Sequence, residues 1–188
     1  MTELKNRENW QATHDLLVEM RDKGRTNALI MSTYFTLTGD DGEEFFSPGE
    51  EFFSPVNAQC MLDRINLELD HRPEPVTIRD LLDANAFNNE QENVCGTAAC
   101  LCGWAHLQAI DKGEADPTDS PFDAGIRWFG LDPNTSGDYR KGTFIAHGKW
   151  ALPKPLGQIT IDDAIEYLAK VLATGEIEVC IDDAPFRN

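Results

Sequence analysis

At 188 residues, 41% of them apolar, the chain is long enough for one domain with its own core and too apolar for a disordered segment. Sixteen Lys and Arg against 33 Asp and Glu give a net charge of −17, which argues against direct nucleic-acid binding through a broad basic surface. No apolar run approaches the roughly 18 residues of a spanning helix, so no membrane contact is expected. The opening MTELKNRENW lacks the apolar stretch of a secretory signal, so the expected compartment is the cytoplasm.

The first predicted element is a helix over 7–23. Trp10, Leu17 and Met20 fall near one stripe, Leu16 widens it, and Gly24 ends it. Ser32 to Thr38 is rich in β-branched and aromatic residues. With the turn Gly39-Asp40-Asp41-Gly42 and then Phe45-Phe46, it predicts a β-hairpin near 32–46. A helix over 58–69 is expected to be capped by Asn57 and to turn Met61, Leu62, Ile65 and Leu69 inward. Thr77-Ile78-Arg79-Asp80 reads as a capping box opening a short helix. An Asn-rich loop follows over 85–93. Thr97 is expected to cap a helix from Ala98 to about Ile110. Ser120-Pro121-Phe122-Asp123 starts another, which ends at Phe129-Gly130-Leu131. Thr160-Ile161-Asp162-Asp163 opens the last, with Ile161, Ala164, Ile165, Leu168, Val171 and Leu172 inward and Gly175 at its end. Residues 177–181 are expected to form a closing strand. The fold class is mainly α (α+β), with about six helices packed around the 95–106 segment as one domain, 1–188.

Charge and repetition single out the first half. No Lys or Arg stands between Arg25 and Arg64, or between Arg79 and Lys112. The heptapeptide GEEFFSP at 42–48 recurs unchanged at 49–55. Two copies do not make a solenoid, so a local duplication in a loop is the plain explanation. It sets Phe45, Phe46, Phe52 and Phe53 among Glu43, Glu44, Glu50 and Glu51. Exposed, these eight residues would be an apolar patch with an acidic rim, a surface suited to a basic or amphipathic protein partner. The plainer alternative for the charge is a solvated, solubilising face.

Three of five cysteines lie within eight residues, in Cys95-Gly96-Thr97-Ala98-Ala99-Cys100-Leu101-Cys102-Gly103-Trp104-Ala105-His106. Three readings stay open. The first is packing: small residues let another helix approach, and the cysteines behave as small buried hydrophobes beneath Trp104. The second is a metal site. Cys102 and His106 share a helix face at i, i+4, with Cys95 or Cys100 as a further ligand, although Cys100 and Cys102 diverge around a helix. The third is thiol chemistry. Cys100 near a helix N-terminus would have a lowered pKa, and Cys95 could resolve it as a disulfide. No cofactor is expected.

The motif C-G-T-x-x-C-x-x-G-W-A resembles the signature of a family of small uncharacterised bacterial and phage proteins. The resemblance extends to the helix and aromatic stretch at 16–35, to an amphipathic helix ending here in Ile126-Arg127-Trp128-Phe129-Gly130-Leu131, and to a Thr-capped closing helix at 160–172. It covers about half of the chain, and only the cysteine motif is specific. It implies that Cys95 and Cys100 belong to a shared framework. Cys102 stands where such proteins have a small apolar residue, and residues 39–75 stand apart as an insertion.

Phosphate-binding glycine loops, serine-hydrolase elbows and zinc-protease helices have no match in this sequence. Asp132 to Asp138 faintly resembles a calcium loop and is better explained as a turn. Tyr139 to Trp150 is a local basic-aromatic cluster set in an acidic chain. The expected function is that of a non-enzymatic, acidic, protein-binding accessory protein. One specific form is a phage inhibitor of a host defence or nucleic-acid-handling protein, acting in the host cytoplasm. The alternative is a small thiol or metal enzyme centred on Cys95, Cys100 and His106.

Overall fold

Side-chain caps decide where most of the helices begin. The computed structural model describes residues 4–25, 29, 35–39, 57–68, 73–83, 94–151, 153–155 and 158–177, with backbone only for 35–39, 64, 65, 68 and 94–98. Seven α-helices and two short strands lie among them, so the described chain is mainly helical. These are α1 (Arg7–Asp22), β1 (Phe35–Gly39), α2 (Ala58–Glu68), α3 (Ile78–Leu82), β2 (Val94–Ala99), α4 (Leu101–Asp111), α5 (Pro121–Trp128), α6 (Ser136–Ala146) and α7 (Ile161–Thr174).

Asn57 caps α2 by accepting the Cys60 N–H at 2.9 Å. Thr77 with Asp80, and Thr160 with Asp163, form full capping boxes at α3 and α7. Ser120 accepts the Asp123 N–H, with Pro121 in the first turn of α5. Each bond satisfies an N–H that the first helical turn leaves without an intrahelical partner. Three ends follow the paired-bond form that needs a left-handed residue, α4 among them with the Gly113 and Glu114 N–H groups on the Ile110 and Ala109 carbonyls. At α1 the Gly24 and Arg25 N–H groups reach the Arg21 and Met20 carbonyls; at α5 those of Gly130 and Leu131 reach Arg127 and Ile126. Gly24 and Gly130 take φ of 82° and 76°, which side chains disfavour.

The helix expected over the cysteine segment is shorter than predicted. It starts at Leu101 with Cys100 as its N-cap, and Thr97 lies in β2 opposite Leu37. The strand continues to Ala99, so Cys95 stands on a strand and Cys102 and His106 on a helix. The hairpin expected near 32–46 is not supported either. β1 pairs antiparallel with β2, Phe35 opposite Ala99, with a register break between Thr38 and Gly39. Its described partner is thus remote in sequence. Residues 40–46 lie outside the described residues, as do 84–93 and 178–181 of the expected loop and closing strand. The seventh helix, α6, falls on the segment read as a turn and a basic-aromatic cluster.

α4 sits at the centre. Every residue from Leu101 to Leu107 is buried, which is the pattern of a helix covered on all sides. It packs against α1, α3, α5 and α6, and α7 packs against α1. The α4–α5 crossing is close because Gly125 faces Cys102. A Cβ on Gly125 would lie 2.5 Å from the Cys102 carbonyl oxygen and 2.8 Å from its Cα. One continuous core joins residues of all seven helices. It includes Ala58 and Met61 of α2, so this part of the 39–75 stretch contributes to the core.

Candidate functional site

Among the described residues, the cysteine helix and the surface beside it carry the candidate chemistry. On α4, Cys100 and Cys102 are reduced and buried. Burial pushes the Cys100 thiol up to about 11, the opposite sense from the lowering expected at a helix N-terminus. Burial, with Cys100 beside it, also raises Cys102 well above the usual thiol range. Desolvation of the thiolate therefore outweighs the N–H groups at the helix end. His106 is fully buried, its Nε2 lies 3.1 Å from the Asp116 carbonyl oxygen, and burial holds its pKa below the ordinary value. Among the described residues, no group of three or more His, Cys, Asp or Glu side chains could hold a metal ion. Cys102 and His106 share α4, while the Cys95 side chain lies outside the described residues. Glu43, Glu44, Phe45, Phe46, Glu50, Glu51, Phe52 and Phe53 also lie outside them.

A polar seam unread in the sequence joins α1 to the end of α5. Asn6 Nδ2 donates to the Trp128 carbonyl at 3.2 Å, Asn9 Nδ2 donates to the same carbonyl at 3.0 Å, and Trp10 Nε1 donates to the Phe129 carbonyl at 3.1 Å. These side chains satisfy carbonyls that the last turn of α5 leaves open. In return, Trp128 Nε1 donates to the Asn9 carbonyl and to Thr13 Oγ1, at 3.2 and 3.1 Å. Gln108 Nε2 of α4 donates to Thr13 Oγ1 at 3.0 Å. Asn9 and Thr13 are thus buried polar residues with partners. The sequence signal was available: polar residues on the stripe of Trp10, Leu17 and Met20.

Outside this seam, α1, α3, α4 and α5 line an open groove of about 330 Å³. α1 supplies Ala12, Asp15, Leu16 and Glu19, residues of one flank at helical spacing. Leu82 ends α3, and Gln108, Asp111 and Lys112 come from the last turn of α4. Trp128 of α5, itself buried, also lines the groove. Three carboxylates therefore face one ammonium group. Lys112 is an exposed residue whose Nζ lies 3.2 Å from Asn9 Oδ1 and 4.6 Å from the centre of the Trp128 ring. Among the described residues, Asp15 pairs with His14 at 3.0 Å, Glu19 with Lys23 at 2.7 Å, and Asp111 with Arg79 at 3.2 Å, and Asp15 also accepts from Gln11 Nε2 at 2.8 Å. The hydrogen bond from His14 holds the Asp15 carboxyl below its usual range.

The segment 132–138 is a turn leading into α6. Asp132 Oδ1 accepts the Asn134 N–H at 2.9 Å, and Asp138 Oδ2 accepts the Asp132 N–H at 3.2 Å. No helix among the described residues is long and apolar enough to cross a membrane. No protein-family model, curated protein or solved structure matches this chain.

Proposed function

We propose that this chain is a non-enzymatic accessory protein that binds a protein partner through acidic surface. The observation that carries this reading is the charge: −17 over 188 residues, with two long stretches free of Lys and Arg. Such a field draws in basic surfaces and repels acidic ones, so it selects partners before contact is made. A protein that handles nucleic acid presents a complementary basic face, and inhibition of such a protein, in the host of a phage, is the specific form proposed. The enzyme alternative has less physical support. A nucleophilic cysteine is needed as thiolate, whereas burial favours the neutral thiol at Cys100 and Cys102.

The test is affinity capture from a bacterial lysate on the immobilised chain, run beside an immobilised polyglutamate of matched charge. The expected result is a protein retained by the chain alone, which after purification forms a saturable complex of fixed stoichiometry. If every retained protein is recovered equally on polyglutamate, the reading fails.

A further inference from the structure

We propose that the groove between α1, α3 and α4 is the docking site for an amphipathic basic helix of the partner. This deepens the acidic-binding reading and rests on it. Of the lining residues, Leu16 and Leu82 are half-buried and Trp128 is buried, while Asp15, Glu19 and Asp111 are exposed. Asp15 and Glu19 stand one turn apart along the same flank of α1, about 6 Å at the rise of an α-helix. Lys or Arg residues at i and i+4 on a docked helix have the same spacing. Asp111 faces them from the end of α4. A helix with an apolar stripe flanked by cations therefore meets matching chemistry on both counts, the pattern of helix-in-groove recognition.

The local charge supports this choice of occupant. Three carboxylates against Lys112 leave the lining at −2, and Lys112 is occupied by Asn9 and the Trp128 ring. Lys23 and Arg79 neutralise Glu19 and Asp111 only through exposed pairs. Such pairs contribute little, so a partner's cations can replace them at small cost. The groove is too small to enclose a helix, whose diameter with side chains is about 10–12 Å. A partner helix therefore lies along it and inserts apolar side chains.

The probe is a synthetic Leu/Lys peptide with helical amphipathic spacing, titrated at low salt into the isotope-labelled full chain and followed by NMR. A scrambled peptide of equal charge is the control. The amide signals of Leu16, Leu82 and Gln108 and the indole signal of Trp128 are expected to shift with the amphipathic peptide only. The double variant Asp15→Lys/Glu19→Lys should weaken binding by about tenfold or more, because reversing rim charges turns steering into repulsion. Glu74→Lys/Glu166→Lys makes the same change in net charge away from the groove and should leave affinity within about twofold. Circular dichroism of each variant checks that it remains folded. Equal weakening by both double variants overturns the proposal, because bulk charge then explains binding. Shifts confined to another surface overturn the groove and leave the acidic-binding reading standing. Groove shifts that follow protein concentration without peptide identify a second copy as the occupant and also overturn it. No binding of the amphipathic peptide overturns the groove, while capture of a specific partner would still uphold the broader reading.

Discussion

Cys100, Cys102 and His106 are titratable groups held in their neutral forms by burial, and that has consequences for reactivity and for pH. A thiol-specific reagent should modify Cys60, which is exposed, while Cys100 and Cys102 stay unmodified until the chain unfolds. Site-resolved mass spectrometry of the native protein checks this. Fast native labelling of Cys100 would restore the reactive-thiol reading. For His106 the folded pKa lies below the ordinary 6.5. The unfolded chain thus takes up its proton at higher pH than the folded one. The resulting stability is complete above about pH 6.5, falls as pH drops from there, and levels below the folded pKa. His147 is shifted the same way by burial and adds the same sign. Asp15, Asp116 and Asp138 have lowered values and act below 3.8, outside this window. Melting temperatures measured from about pH 7.5 to 5 should therefore decline below 6.5, and less steeply in His106→Gln. An identical decline in that variant would contradict the assignment.

The crossing of α4 over α5 is the tightest contact between elements described here, and it depends on one missing side chain. Gly125→Ala places a methyl group against the Cys102 backbone, which cannot rotate away. Overpacking of this kind costs about 1–3 kcal/mol. Thr160→Ala, which removes one cap bond at α7, costs about 1 kcal/mol by comparison. Chemical denaturation of both variants should rank Gly125→Ala as the more damaging; a neutral Gly125→Ala would mean that the crossing can open. The capped helices were legible because their signals are local: Thr77 with Asp80, Ser120 with Pro121, Thr160 with Asp163. The start of α4 was not. Thr97 resembles a cap in isolation, but its backbone is taken by pairing with Leu37, a partner that no local spacing reveals. α6 was missed because Thr135 makes no side-chain cap bond and Gly137 and Gly142 depress helix propensity. The polar seam was missed because Asn9 and Thr13, although near the apolar stripe of α1, gain a role only from partners on α4 and α5 that are remote in sequence.

At the scale of the whole molecule, the charge and the core separate cleanly. Cys100 lies in the core, as the packing reading expected, and Cys102 is buried with it, while the Cys95 side chain falls outside the described residues; acidic groups line the exposed groove. The duplicated Phe-rich segment falls outside the described residues, so the groove is the described surface on which an acidic-binding role can be argued. The central claim, that acidic surface recruits a basic partner, is tested most directly by the affinity of the purified complex as a function of salt. Calorimetric titrations across a range of sodium chloride should show the dissociation constant rising by about tenfold or more between low salt and about 0.5 M, because screening removes the attraction between exposed charges. A dissociation constant that stays constant across that range would contradict the account.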